Sequence, residues 1–223
     1  MCTAGEGIAS PRVKALVRGD DGRRRCRWGA STPDYVGYHD EEWGRPVTDD
    51  RGIYERMVLE GFQSGLSWLT ILRKREAFRA AFRDFEIERV ARFGARDVNR
   101  LLADAGIVRH RGKIEAAIAN AKAARRMQAA GESLAELVWS HRPSGRRRAP
   151  RKLADLPAIT LESTALSKEL KKRGFRFVGP TTAYAAMQAC GVVNDHLSGC
   201  WVRAEVEALS SPRGWMNERS PSA

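Results

Sequence analysis

Along most of this chain apolar residues recur at helical spacing, and no window alternates for long enough to demand a sheet. Thr48-Asp49-Asp50 is a cluster of helix-capping residues, and Ile53, Met57 and Phe62 follow it near one helical face. Ser67 can cap a second segment with Trp68, Leu69, Leu72 and Phe78 on or near one side. Further helical runs are expected over 87–93, 95–103, 113–130 and 133–140. Two more, over 163–173 and 181–190, are each closed by a glycine, Gly174 and Gly191. The fold class this predicts is all-α, without internal repeats.

The ends and one loop break the pattern. Residues 1–24 are polar and rich in Gly and Arg, and read as a flexible basic extension. Residues 25–209 read as the helical domain and 210–223 as a flexible, turn-rich tail. Residues 142–152 carry two prolines, one glycine and six basic residues, which predicts an exposed loop. With 39 Lys and Arg against 27 Asp and Glu, the formal charge is +12. Such an excess attracts polyanions, nucleic acid first, although an Arg-rich composition bias alone gives the same number. No apolar run reaches bilayer length and no signal-like stretch opens the sequence, so a cytoplasmic protein without a membrane partner is expected.

Four cysteines are too few and too scattered for a disulfide framework. Cys26 and His39 lie near one end of the domain, His196 and Cys200 near the other. The second pair is spaced i, i+4, which puts both side chains on one face of a helix. One thiolate–imidazole pair from each end would make a closed, tetrahedral set suited to structural zinc. Spacing alone leaves the other reading open, because Cys26 and His39 are not at zinc-finger spacing. His110 and His141 read as surface residues, Cys190 as a small buried hydrophobe and Cys2 as without a role.

Several long motifs occur in order: CRW…PDYVGYHDEEWGRPVTDD, LEGFQSGLSWLTILRKRE, DAGIVRHRGKI, LSKELKKRGFRFVGPTTAYAAMQACGVVNDH and HLSGC. From about Cys26 to Cys200 they closely resemble the 3-methyladenine DNA glycosylase I family, within the helix-hairpin-helix glycosylase superfamily. The resemblance implies that fold, and one structural zinc per chain on Cys26, His39, His196 and Cys200. It implies a monofunctional glycosylase that flips 3-methyladenine out of alkylated double-stranded DNA and hydrolyses its glycosidic bond. The base pocket it implies has Glu60 as the acidic catalytic residue, with Tyr38, Trp68, Trp28, Tyr35 and Trp43 as aromatic walls. The hairpin, near 170–191, would hold a DNA phosphate through Val178, Gly179, Thr181 and Thr182. Further backbone contacts are expected from Arg109, Arg111, Lys113, Lys171, Lys172 and Arg173.

Two departures from the superfamily bear on mechanism. Thr181 stands where bifunctional members carry a lysine, so no Schiff-base lyase activity is expected. Asn194 stands where many members carry a catalytic aspartate, and the adjacent Asp195 is expected to face elsewhere. The implied enzyme is a monomer without an organic cofactor. Two other readings fit the same motifs: an alkylbase glycosylase of shifted specificity, or a non-catalytic zinc-stabilised binder of damaged DNA.

Overall fold

The computed structural model describes residues 14–145 and 147–210. Cys2, Arg146 and the stretch 211–223 lie outside them. Among the described residues the chain is mostly helical, with β1 (Leu16–Arg18), β2 (Arg24–Cys26), α1 (Pro33–Glu41), α2 (Asp50–Gln63) and α3 (Trp68–Ala81). There follow α4 (Ile87–Ala91), α5 (Ala95–Ala103), α6 (Arg111–Ala129), α7 (Leu134–Ser140), α8 (Leu161–Lys172), α9 (Pro180–Ala189) and α10 (Arg203–Leu209).

The caps explain most of the boundaries. The side chains of Thr32, Asp49, Ser67, His110, Ser133 and Thr160 each accept a backbone N–H in the first turn of their helix. Each such cap contributes about 1 kcal/mol. Thr160 starts α8 at Leu161, two residues before the expected position, because Thr160 and Ser163 cap each other reciprocally.

The main core is built around α2, whose Ile53, Tyr54, Met57, Val58, Leu59 and Phe62 are all buried. It packs against α3, α6, α7 and α9. Phe62, Phe78, Phe82 and Phe85 stack beside it, with centroids 4.7 to 6.2 Å apart along the row. Helix α6 buries Ala116, Ala117, Ala121, Ala123 and Ala124, small residues that let neighbouring helices approach closely.

Three elements depart from the sequence reading. An antiparallel ribbon pairs Leu16 with Cys26 and Arg18 with Arg24, so paired structure begins at Leu16 and not at residue 25. Strands this short carry too little alternation to be read from composition. Helices α1 and α10 also fell outside the expected runs, because their buried faces are made of Tyr38, His39 and Asp40 and of Val206 alone. Ser210, assigned to the tail, is buried at the end of α10 and accepts a hydrogen bond from Arg142.

Lys113 is a further correction. It was expected on the DNA backbone but is buried, and its Nζ donates to the carbonyls of Phe62 at 2.9 Å and Ser64 at 2.5 Å. It thereby satisfies the C-terminal end of α2, which carries Glu60. One turn-pair further along the same face of α6, Asn120 hydrogen-bonds both the N–H and the carbonyl of Arg176. Lys113→Met leaves the buried Phe62 carbonyl unpaired and is expected to cost about 2 kcal/mol, measured as a lower denaturant midpoint at unchanged m-value.

Candidate active site and metal-binding group

Glu60 sits in the buried last turns of α2, 7% exposed. Burial pushes its carboxyl up to about 8, and no hydrogen bond or cation among the described residues acts against it. A carboxyl held like this is costly unless something else fills the site. Tyr38 of α1 is buried close by. Burial, and next the Glu60 carboxylate, push its phenol well above the usual tyrosine range. Trp68, at the first position of α3, faces Tyr38 with centroids 5.3 Å apart. Its indole Nε1 is buried and has no hydrogen-bond partner among the described residues. One acceptor and one donor therefore stand unpaired beside an aromatic wall.

The other expected aromatics lie between this pocket and the Cys/His group. Trp28 is 5.7 Å from Tyr35, 6.4 Å from Tyr38, 5.2 Å from the His39 ring and 4.9 Å from Trp43. Trp43 in turn lies 4.7 Å from the His196 ring. Trp28 and Trp43 thus buttress both centres at once.

Cys26, His39, His196 and Cys200 are all buried, and their donor atoms lie within 4.8 Å of one another. Cys26 ends β2, His39 lies in α1, and the other two follow α9. Sulfur of Cys200 is 3.5 Å from Nε2 of His39 and 3.7 Å from Nδ1 of His196. The opposite ring nitrogens are engaged: His39 Nδ1 with Asp40 at 2.8 Å, and His196 Nε2 with the Trp43 carbonyl at 3.0 Å. Each imidazole is thereby turned so that its free nitrogen points into the group. The Cys26 and Cys200 thiols influence each other across the group, which pushes Cys26 up and Cys200 down.

Sequence reasoning missed the second ring of contacts. Asp40 is gripped by Arg25 and also receives the Trp201 indole N–H at 3.3 Å. The Leu197 N–H donates to the Cys26 sulfur. A Cβ at Gly29 would lie 2.4 Å from the His39 ring, so glycine is required there for the imidazole to fit. Gly44, at φ +82°, makes the turn that presents the Trp43 carbonyl to His196. The one signal available was the acid directly after His39 in YHD.

Helices α8 and α9 are joined by the connection 173–179, with Pro180 at the first position of α9. Phe177 at its tip is exposed and left-handed, φ 55°. The tip is on the pocket side, because Gly61, the neighbour of Glu60, faces Phe177. Val178 is buried and Thr181 exposed. Of the expected cations, Arg109, Arg111, Lys171 and Lys172 are exposed, Arg111 pairing with Glu115 and Lys172 with Glu169, while Arg173 pairs with Glu132 and Glu169. Asn194 is taken up by the Arg203 carbonyl, and Asp195 turns to Tyr184 and Gln188.

The family model for methyladenine glycosylase matches residues 28–204. The chain belongs to the methyladenine glycosylase family. It is 51% identical over 179 residues to the DNA-3-methyladenine glycosylase 1 of Escherichia coli K12, an alignment covering 79% of this chain and 95% of that one. It is 44% identical to the Haemophilus influenzae DNA-3-methyladenine glycosylase, over 79% and 96% of the two chains. A crystal structure of 3-methyladenine DNA glycosylase I superposes with TM-score 0.77 at 50% identity, covering 79% of this chain and 98% of that one. The Staphylococcus aureus enzyme, whose structure addresses 3-methyladenine recognition, superposes at 0.75 with 38% identity, over 80% and 96%.

Proposed function

We propose that this family member excises 3-methyladenine from alkylated duplex DNA, flipping the base and hydrolysing its glycosidic bond without lyase chemistry. The observation that carries the reading is a buried Glu60 carboxyl acting on Tyr38, and an unpaired Trp68 N–H whose ring packs on the same Tyr38. A flat, cationic adenine offers what this seat lacks: a positive charge for the carboxylate, an acceptor nitrogen for the indole and a face for the rings. Cation–π contact contributes about 0.5–2 kcal/mol. N3-methylation already makes the base a good leaving group, so selective capture of the cation is a large share of the catalysis. The missing aspartate at Asn194 agrees with a substrate that needs less help. The hairpin would hold a phosphate at the α9 N-terminus through the backbone of Val178 and Gly179 and the hydroxyls of Thr181 and Thr182.

The Cys/His group is proposed to hold one zinc ion. Zinc bond lengths of about 2.3 Å to sulfur and about 2.05 Å to nitrogen give a tetrahedral S···N edge of about 3.6 Å. The two edges of 3.5 and 3.7 Å agree. Four protein donors leave no position for a reactive water, so the ion would be a clasp between chain ends. It would supply folding energy and take no part in the reaction.

Chromatography of the bases released from methylated DNA tests the reading. 3-Methyladenine is expected as the main product, with intact strands at the abasic site. DNA binding without any released base would leave a damage-binding protein instead.

A further inference from the structure

We propose that the cleft lined by Arg148, Arg151 and Lys152 is a second site for DNA backbone phosphates, separate from the hairpin and the base pocket. It goes beyond the glycosylase reading, since it needs only a duplex. The cleft runs along residues 147–152 and is closed by Asp155 and Leu156.

The loop is held in place from below. Arg147 reaches the buried Asp195 at 3.4 Å and donates to the Tyr184 hydroxyl at 3.2 Å. Asp195 also takes hydrogen bonds from Tyr184 and Gln188. The Pro150 carbonyl accepts the Ser198 N–H at 2.7 Å. Asp155 accepts the backbone N–H groups of Arg151 and Lys152. One arginine is thus used up in anchoring. The side chains of Arg148, Arg151 and Lys152 are left without an ion pair among the described residues, whereas many other surface arginines have one, such as Arg73, Arg75, Arg79 and Arg92. Exposed cations spaced along a fixed extended segment suit the repeating charge of a phosphodiester backbone.

Position separates this cleft from the lesion side. Tyr184 meets Arg147 of the loop and Gln188 meets Asp195, the residue that anchors Arg147, while Ala183, Ala186 and Cys190 face α2 at Ile53 and Met57. At 100° per residue these two sets lie on nearly opposite sides of α9. The hairpin leads into the start of α9, while the loop packs on its later turns and on the segment after it. The cleft would engage a duplex flank or a second duplex segment while the pocket holds the lesion.

The test is the triple substitution R148A/R151A/K152A, which leaves the Arg147 anchor intact. Binding to undamaged duplex is measured against salt. Each phosphate contact contributes about 0.9 to the slope of log affinity against log salt, so the slope is expected to fall by about 2.7. Between about 0.05 and 0.2 M salt the affinity lost by the variant would then be about 40-fold smaller than that lost by the wild type. R148K/R151K should keep the wild-type slope. A short duplex that only spans the lesion side separates the two sources: an effect confined to longer DNA means a flank, an effect on both means a second segment. An unchanged slope in the triple variant overturns the proposal. Loss of slope with no base released from methylated DNA would leave this site standing and remove the glycosylase reading instead.

Discussion

Glu60→Gln is expected to make the protein more stable and excision about 100-fold slower. Both effects follow from a carboxyl raised by burial from 4.5 to about 8. A group with a folded-state value above its unfolded value favours the fold only while protonated. Below about pH 4.5 it costs nothing; from there to about pH 8 the wild type loses stability steadily, and beyond that the loss is constant. At pH 7 the loss is about 3 kcal/mol, at 1.36 kcal/mol per unit. Glutamine has the same shape and no such cost, so its Tm at pH 7 should rise by about 6–12 °C. The catalytic side runs the other way. A carboxylate 4 Å from a cationic base contributes about 4 kcal/mol at an effective dielectric of 20. Ionising Glu60 at pH 7 takes back about 1.4 kcal/mol, and the remainder is about 100-fold. The wild-type kcat/KM should therefore rise about tenfold from pH 7 to 9, and that of the variant should stay flat. A variant as active as the wild type, or less stable than it, would remove Glu60 from this role.

How far the sequence carried depended on what each residue's partner was. Caps and apolar periods are local, so Thr160, Ser133 and the faces of α2 and α6 could be read directly. The Cys/His group is not local: Cys26 and Cys200 come from opposite ends of the domain, and their spacing had no standard form. It became readable only through resemblance. Lys113 shows the opposite failure. In a basic stretch it looks like a phosphate contact, and only the fold reveals that α2 ends beside it. Asp40, Gly29 and Trp201 were not read because their roles exist only once His39 is in place. The helices with little apolar surface, α1 and α10, carry their packing on polar and aromatic residues, which the hydrophobic period does not register.

Removing the zinc ion proposed for the Cys/His group is expected to open one end of the molecule and to spare the other. Beside the main core around α2 and a pocket-side cluster of Tyr38, Trp43 and Ala189, the buried residues form a small satellite of Cys26, Leu197, Cys200, Val202 and Val206, with Leu16, Trp28 and Trp201 packed on it. The satellite joins the ribbon and α10 to the rest of the chain, and so few apolar groups hold it weakly without a central ion. Cys200→Ser, or a strong chelator, should lower stability by about 4 kcal/mol, a fall in Tm of about 8–16 °C. Hydrogen exchange should accelerate in β1, β2, α1 and α10, while α2, α6 and α9 keep their protection. The pocket would suffer with the satellite, since Trp28 packs on both Tyr38 and His39, and Tyr38 forms the wall opposite Trp68. Affinity for free 3-methyladenine should therefore fall together with the metal content. The non-specific duplex affinity proposed for the hairpin, which α8 and α9 of the main core would carry, should persist. Metal-free protein with unchanged exchange in α1 and full base affinity would show that the clasp is dispensable and that the aromatic packing alone holds the pocket.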